Sequence, residues 1–277
     1  MNEKVEKRLA GKVMVVTGAS RGLGRACAIG FALEGAHVIA TARSSGTGEE
    51  TIDRTTELIG QSGGSAMAVE CDVTSPDSLS AMADIVVKRF GRIDVLMNNA
   101  AYFAKGSLVD MTQQDWLRQI DVNLNGVFHA IRAVVPVMVK QGSGHVINVS
   151  SIAATKGSHY GVTKRGVQGL TMGFSQELQP HGIAVNALRP VAAIRTPGWE
   201  SSRPPEVLAK RAHRVSPPDS YVEAAVLMAM LGADDLTGAE LNDAEVLRRF
   251  GRDEVSDRFC KMNAAVWNEA FLEASRN

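Results

Sequence analysis

Cysteine is scarce in this sequence, and neither sign of charge is in excess. The three cysteines, Cys27, Cys71 and Cys260, show no CxxC spacing, so the sequence predicts neither a disulfide framework nor a zinc site. Thirty Lys and Arg residues balance thirty Asp and Glu residues, which argues against a nucleic-acid-binding protein. The six histidines show no metal-ligand spacing, and we expect no metal site.

Long hydrophobic segments are missing as well. The longest uninterrupted apolar run, at 224–231, is far too short to cross a bilayer, and the charged N-terminus lacks the apolar segment of a signal peptide. Hydrophobic residues make up 45% of the 277 residues and charged residues 22%, which is typical of a soluble globular protein with a sizeable core. These features predict a cytoplasmic protein with neither a nucleic acid nor a membrane as partner.

From Gly11 onward, short apolar runs alternate with longer segments of helical periodicity. The runs are rich in β-branched residues and predict strands at 12–16, 37–40, 65–70, 93–97, 145–149 and 183–188. The segments between them predict helices near 22–34, 49–62, 76–90, 112–141 and 159–180, with Thr74 or Ser75 capping the helix that starts at Pro76. This alternation predicts one domain over 1–277: an α/β doubly wound parallel sheet with helices on both faces, the Rossmann fold.

The proline content changes near Arg189. Residues 190–220 contain six of the nine prolines and show little strand character. Long irregular insertions in compact domains are usually functional or mobile, so we interpret 190–220 as a lid over a substrate pocket, with an ordinary surface loop as the alternative. Beyond it we expect a helix at 219–231, a last strand at 240–242 and a helical C-terminal extension at 245–277.

The first predicted strand leads directly into the glycine-rich segment TGASRGLG at 17–24. Its glycines permit a tight turn in which a pyrophosphate approaches bare backbone N–H groups at a helix N-terminus. A glycine triplet also occurs where a turn only packs closely against a helix, but this one opens a helix after the first strand of a βαβ unit. We therefore predict a dinucleotide site at this turn. The turn residues assigned to it are Gly18, Ser20, Arg21, Gly22, Leu23 and Gly24.

The end of the second strand indicates the type of dinucleotide. NAD sites usually carry Asp or Glu there, whereas residues 38–43 contain no acidic residue and end in Arg43. A guanidinium group binds a ribose 2′-phosphate well, and Arg21 in the glycine turn adds a second positive charge. Both arginines have a solvated surface position as the alternative. We predict NADP (NADPH) as the cofactor.

Candidate catalytic residues follow the fifth predicted strand. Ser151 ends that strand, and Tyr160 and Lys164 lie four residues apart on one face of the next helix. A YxxxK pair is not specific by itself, but doubly wound sheets bind ligands at the carboxyl ends of their strands. An ammonium group lowers the pKa of a neighbouring phenol, and a serine hydroxyl stabilises charge on a carbonyl oxygen. These residues therefore predict the interconversion of a carbonyl and an alcohol.

Taken together, the chain resembles the short-chain dehydrogenase/reductase family from about Gly11 to Thr196. The matching segments are TGASRGLG at 17–24, CDV at 71–73, NNAA at 98–101, DVNLNG at 121–126, INVSS at 147–151, YGVTK at 160–164 and RPVAAIRTP at 189–197. The resemblance implies that Tyr160 is the catalytic acid/base and that Ser151 polarises the carbonyl. It also implies that Lys164 holds the nicotinamide ribose and assists Tyr160, while Asn123 supports a proton-relay water. The further cofactor contacts that it implies are Asp72, Val73, Asn99, Ala100 and Thr196.

The sequence departs from the family pattern in four places. It has Ala101 where the family commonly has glycine, and Val191 where a glycine usually follows the proline after the sixth strand. The last strand ends in residues 241–244 rather than in a glycine-rich turn, a weak resemblance to hydroxysteroid dehydrogenase-like members. Only eight residues separate Ser151 from Tyr160, about four fewer than usual. We expect this shortening to leave a wider and wetter pocket, with loss of order at the start of the Tyr160 helix as the opposing hypothesis.

The leading hypothesis is an NADP-dependent alcohol dehydrogenase or carbonyl reductase. An enoyl-type reductase of the same fold and a non-catalytic, NADPH-binding regulatory or scaffold protein remain alternatives. The resemblance, together with apolar positions around the helix at 112–141, predicts a homotetramer or homodimer that uses the helices at 112–141 and 159–180. The sequence does not identify the carbonyl or alcohol substrate.

Overall fold

The computed structural model describes residues 7–194, 196, 206, 215–216 and 218–252. The predicted lid at 190–220 and the predicted extension at 245–277 therefore lie only partly within the described residues. Trp199, which the sequence places in the lid, and Cys260 lie outside them.

A seven-stranded parallel sheet forms the centre of the molecule. Its strands are β1 (Val13–Thr17), β2 (His37–Ala42), β3 (Ser65–Glu70), β4 (Val95–Asn98), β5 (Gly144–Val149), β6 (Ile183–Arg189) and β9 (Glu240–Asn242). The order β3-β2-β1-β4-β5-β6-β9 confirms the predicted doubly wound topology, including the last strand at 240–242. Because the order reverses between β1 and β4, the carboxyl ends of these two strands open a crevice in which such sheets bind ligands.

Helices cover both faces of the sheet. They are α1 (Gly22–Leu33), α2 (Ile52–Gln61), α3 (Pro76–Phe90), α4 (Gln113–Ile120), α5 (Gly126–Gln141), α6 (His159–Leu178), α7 (Asp219–Ala229) and α8 (Asp243–Arg249). The helix predicted at 112–141 is interrupted by a π-helical turn at Asp121–Asn125, which the sequence pattern did not indicate. Of the two caps proposed for α3, the structure selects Ser75, whose side chain accepts a hydrogen bond from the N–H of Ser78 (3.2 Å).

Two hydrophobic layers hold the helices on the sheet. Phe31 and Tyr221 lie in the layer under α1, α2 and α7, and Met82 and Ile131 lie in the opposite layer under α3, α5 and α6. Fully burying one such side chain contributes about 1.5–3 kcal/mol. Cys27 is completely buried in the first layer, as expected of a small core residue.

One helical stretch in the described part of the chain, Gln113–Gln141, is long and apolar enough to cross a membrane by length and composition alone. Scattered polar residues divide it, so it contains no uninterrupted apolar run as long as the one at 224–231. Its α5 portion packs against α3, β4 and β5, which is the usual position of a core helix in a globular protein.

The proline-rich segment contains a short strand pair that the sequence did not predict. Strands β7 (Ala193–Ile194) and β8 (Val215–Ser216) pair in parallel, apart from the main sheet. The buried carboxylate of Asp243 anchors the start of this segment by accepting hydrogen bonds from the N–H of Val191 (2.6 Å) and the hydroxyl of Ser220 (3.1 Å). The segment is thus tied to α8 at its base.

Candidate active site

The glycine turn after β1 is packed too closely to tolerate side chains. Gly18 and Gly22 have φ angles of +66° and +58°, a region that favours glycine. A Cβ atom on Gly18 would lie 2.8 Å from the Cα of Ala100, and one on Gly24 would overlap the amide nitrogen of Asn99 and the carbonyl oxygen of Gly18. The glycines are therefore required by the local geometry, as the sequence predicted.

Asn99 and Ala100 join the turn to β4. Their backbone N–H groups both donate to the hydroxyl of Thr17 (3.0 and 3.1 Å), and the Asn99 side chain donates to the carbonyl oxygens of Thr17 and Gly18 (2.9 and 3.1 Å). These bonds fix the crevice between β1 and β4. The two family-implied residues thus lie beside the glycine turn.

The first turn of α1 is suited to an anionic group. No side chain caps this helix and its first turn contains no acidic residue, whereas Thr51, Ser75 and Ser158 cap α2, α3 and α6. Uncapped N–H groups at a helix N-terminus favour a phosphate. Thr196 borders the same turn, since a Cβ on Gly22 would lie 3.4 Å from the Cβ of Thr196. A pyrophosphate between these groups is consistent with both observations.

The two arginines predicted to bind a 2′-phosphate differ in their surroundings. The guanidinium group of Arg21 forms an exposed ion pair with Glu50 (3.1 Å). Arg43, exposed just after β2, has no ion-pair partner among the described residues. An anion arriving at this end of the crevice therefore meets one available guanidinium and one that is shared with a carboxylate.

Buried Arg25 holds the neighbouring loop in place, a role that the sequence analysis missed. Its guanidinium group donates to the carbonyl oxygens of Ser20 and Glu49 and to the hydroxyl of Thr55 (3.0 Å). Burial lowers the pKa of Arg25 to about 10, so it remains charged at neutral pH. A basic residue inside an otherwise apolar helix was the available sequence signal.

The remaining predicted cofactor residues line or support the same end of the sheet. Asp72 follows β3, and its carboxylate accepts hydrogen bonds from the N–H and hydroxyl of Thr74 (2.9 and 2.8 Å). The side chain of Val73 is buried against Gly126, so only its backbone is placed to meet a ligand. Ser20 is buried and the side chain of Leu23 packs against the core. At these two positions the backbone of the turn is therefore the part that can contact a cofactor.

Tyr160 and Lys164 share one face at the start of α6. The buried ammonium group of Lys164 donates to the carbonyl oxygen of Val149 (2.7 Å) and lies 5.7 Å from the centre of the Tyr160 ring. Burial lowers the pKa of Lys164 to about 8 and raises the pKa of Tyr160 to about 12. The expected lowering of the phenol pKa is therefore not seen here, because loss of solvation of the phenolate outweighs the ammonium at this distance.

The hydroxyl groups of Tyr160 and Ser151 are both available for chemistry. No described residue hydrogen-bonds the Tyr160 hydroxyl, and the Tyr160 side chain is only partly buried. The Ser151 oxygen accepts a hydrogen bond from the N–H of Ala153 (3.1 Å), so its own proton remains free to donate. Each hydroxyl therefore has a proton that it can donate to a ligand.

Asn123 is committed to protein contacts. Its side-chain oxygen accepts from the N–H of Tyr102 (2.7 Å), and its nitrogen donates to the carbonyl oxygen of Tyr102 (2.8 Å) and to the hydroxyl of Thr163 (3.3 Å). The residue lies in the π-helical turn, an irregularity that is frequent at functional sites. The side chain thus connects the loop after β4 to the catalytic helix.

The shortened segment between Ser151 and Tyr160 is folded as one compact turn. Ile152–Thr155 forms a 3₁₀ helix capped by Ser151, and Ser158 caps α6 by accepting from the N–H of Gly161 (2.9 Å). The start of the catalytic helix is therefore formed, which contradicts the hypothesis that the shortening unravels it. His159 occupies the first position of α6.

Known proteins are similar to this chain over most of its length. The short chain dehydrogenase family profile matches residues 12–206. The chain is 39% identical over 200 residues to the 3-oxoacyl-acyl-carrier-protein reductase FabG of Thermotoga maritima, a match that covers 70% of this chain and 78% of the relative.

Solved structures extend the similarity to nearly the whole fold. A metagenomic short-chain oxidoreductase in complex with NADP has 32% identity and a TM-score of 0.71, covering 85% of this chain and 97% of the other. A 7α-hydroxysteroid dehydrogenase complexed with NADH and 7-oxo glycochenodeoxycholic acid has 31% identity and a TM-score of 0.76, covering 87% and 96%. The chain belongs to the short-chain dehydrogenase family and is an oxidoreductase.

Proposed function

We propose that this protein interconverts an alcohol and a ketone or aldehyde with NADP as cofactor. The observation that carries the proposal is the Tyr160 hydroxyl, which no described residue hydrogen-bonds, near the buried ammonium group of Lys164 at the carboxyl edge of the sheet. Reduction of a carbonyl needs a hydride on carbon and a proton on oxygen. NADPH supplies the hydride, and Tyr160 supplies the proton.

The three polar groups have separate tasks in this proposal. Ser151 donates a hydrogen bond to the substrate oxygen, where negative charge develops, and keeps its proton. Tyr160 transfers its proton to that oxygen and takes it back in the oxidation direction. Lys164 binds the nicotinamide ribose and assists Tyr160, and the π-helical backbone around Asn123 supports a water that returns the proton.

The cofactor assignment follows from the site's own residues. The uncapped turn of α1 takes the pyrophosphate, Asn99, Ala100 and Thr196 border the nicotinamide half, and Asp72 and Val73 border the adenine half. Arg43 and Arg21 take the 2′-phosphate. A solved relative carries NADP and another NADH, so the preference is decided by these two arginines rather than by the fold.

We further propose that the chain acts as one domain, with the segment at 190–220 as a substrate lid and 245–277 as its C-terminal extension. The anchoring of Val191 by Asp243 gives the segment a fixed base. The shortened segment at 152–159 leaves less wall beside Ser151 and Tyr160, so we expect a wide pocket that accepts bulky substrates. A comparison of kcat/KM for a bulky ketone and a small one tests this, and a preference for the small ketone would contradict it.

We also propose a homotetramer or homodimer formed through the 112–141 and 159–178 helices. Large apolar side chains remain exposed along them in the described chain: Leu117, Phe128, Val139, Val162 and Met172. Exposed apolar surface of this extent is typical of an interface. Light scattering at micromolar concentration should give a multiple of 29.6 kDa, and Met172→Glu should shift it toward the monomer.

An assay of NADPH consumption against a panel of carbonyl compounds tests the proposed activity. The panel contains simple ketones, hydroxyketones, a steroid ketone and a 3-oxoacyl thioester, the last because the similar reductase of Thermotoga maritima is named for that substrate. It also contains an enoyl thioester. Consumption with a carbonyl compound supports the proposal. Consumption with the enoyl thioester alone, or tight NADPH binding without any turnover, would contradict it in favour of the enoyl-reductase or regulatory alternative.

A further inference from the structure

An aromatic and polar cluster lies beside the catalytic tyrosine and has no task in the mechanism above. The ring of Phe103 lies 5.2 Å from the ring of Tyr160 and 5.8 Å from the ring of His159, measured between ring centres. Phe103 is 42% exposed, so the three rings border accessible space rather than the core. A substrate whose carbonyl oxygen meets Tyr160 has His159 and Phe103 as neighbours.

The orientation of the Gln119 amide is fixed by a backbone group. Gln119 is fully buried, and its side-chain oxygen accepts a hydrogen bond from the N–H of Ala104 (3.1 Å). A backbone N–H only donates, so the opposite orientation of the amide would place two donors against each other. The same oxygen lies 3.2 Å from Nδ1 of His159.

This fixed amide determines the hydrogen-bonding character of His159. Because the Gln119 oxygen only accepts, Nδ1 of His159 must carry a proton, and the neutral imidazole then has its lone pair on Nε2. Nε2 has no hydrogen-bond partner among the described residues, and His159 is partly exposed. His159 therefore presents a hydrogen-bond acceptor next to the catalytic residue.

We infer that His159 is a substrate-binding residue whose Nε2 accepts a hydrogen bond from a hydroxyl group of the substrate, so that the enzyme acts on hydroxylated ketones and the corresponding diols. Gln119 is the positioning residue that sets the imidazole tautomer. Phe103 contacts the carbon skeleton between the two polar groups. The inference rests on the proposed carbonyl chemistry and specifies its substrate class.

The test compares two ketones of nearly equal shape. In 3-hydroxy-3-methylbutan-2-one a tertiary hydroxyl replaces one methyl group of 3,3-dimethylbutan-2-one, and a tertiary alcohol cannot be oxidised by hydride transfer. Both are titrated by ligand-observed NMR into the protein saturated with NADP⁺, which binds ketones without reducing them. We expect the hydroxyketone to bind about tenfold more tightly, the effect of one good hydrogen bond.

Three variants locate the source of that preference. His159→Phe keeps the aromatic contact with Phe103 but removes the acceptor, and should reduce the preference to less than about twofold. His159→Gln retains an acceptor and should keep part of it. Phe103→Leu, the matched control, should weaken the binding of both ketones alike and leave the ratio of their dissociation constants unchanged. Circular dichroism confirms folding of each variant.

The outcomes separate the inference from the proposed function. Equal binding of the two ketones, no measurable binding of the hydroxyketone, or an unchanged preference in His159→Phe would overturn the inference. Turnover of both ketones with NADPH at equal efficiency would leave the proposed activity intact while rejecting the hydroxyl contact. A preference in binding without any turnover would support the contact and reject the proposed activity.

Discussion

Gly161 and Lys156 are packed so closely that a Cβ atom at position 161 would lie 2.7 Å from the Lys156 carbonyl oxygen. It would also overlap the carbonyl oxygen of Ala153. The shortened segment after Ser151 is thus folded directly onto the first turn of the helix that carries Tyr160. The position of Tyr160, the proposed acid/base, depends on a glycine beside it.

Substitution of this glycine should affect both stability and catalysis. Gly161→Ala forces the 152–158 turn away from α6, and we expect a loss of about 1–3 kcal/mol in the free energy of unfolding together with reduced kcat. Gly169→Ala is the matched control, because a Cβ there meets nothing within 4 Å. It should stabilise the helix by about 0.5–1 kcal/mol. Urea denaturation measures the free energy of unfolding of both variants. Equal values for Gly161→Ala and Gly169→Ala would contradict the close packing around Gly161.

Removal of the Tyr160 hydroxyl should abolish most turnover without affecting cofactor binding. Tyr160→Phe loses the proton donor but keeps the ring contact with Phe103, and we expect kcat to fall by about 10²–10⁴. The dissociation constant for NADPH, measured by fluorescence, should change little. Tyr102→Phe, which removes a phenol bonded to Asp115, is the control and should retain activity. Comparable loss in both variants would reject Tyr160 as the acid/base.

Arg43 should determine the cofactor preference. Loss of one guanidinium–phosphate contact in Arg43→Ala should weaken NADPH binding by about ten- to a hundredfold, with NADH binding nearly unchanged. Arg132→Ala removes an exposed charge elsewhere, on α5, and serves as the control. The measurement is kcat/KM with both coenzymes. Equal efficiency of the wild type with NADH and NADPH would contradict the assignment.

Glu50 should oppose NADPH binding, because its carboxylate shares the guanidinium group of Arg21. An exposed pair of this kind contributes at most about 1 kcal/mol, so Glu50→Gln should tighten NADPH binding by about two- to fivefold at low salt. High salt should remove the gain. Glu49→Gln is the control, because it neutralises a neighbouring carboxylate that pairs with Arg54 rather than with Arg21. The same gain in both variants would indicate a general charge effect and not the Arg21 pair.

His145 should make the fold sensitive to acid. Burial lowers its pKa from 6.5 to about 4, and it is held by the carbonyl oxygen of Leu231 and the amide of Asn186. The unfolded chain therefore binds the proton first as the pH falls, so stability present above pH 6.5 is lost toward pH 4, by up to about 3 kcal/mol. His145→Gln should lack this loss. Parallel pH profiles of the unfolding free energy in wild type and variant would contradict the prediction.

The sequence by itself determined the order of strands and helices, the glycine turn and the catalytic helix. These features depend on local causes: β-branched runs favour buried strands, glycines at 18 and 22 supply positive φ angles, and a spacing of four places Tyr160 and Lys164 on one face. Such local signals can be recognised in a single sequence. The family resemblance rested on the same segments.

Only the tertiary structure decided which groups those residues meet. The pairing of Arg21 with Glu50, the contact of Gln119 with His159 and the capture of the Asn123 side chain by Tyr102 join residues 21 to 40 positions apart in the sequence. The pKa of Tyr160 is another case, since burial by several elements outweighs the one neighbouring charge that the sequence revealed. Contacts of this kind depend on how separate helices, strands and loops pack against one another. A local sequence pattern does not specify which distant residue a side chain will contact.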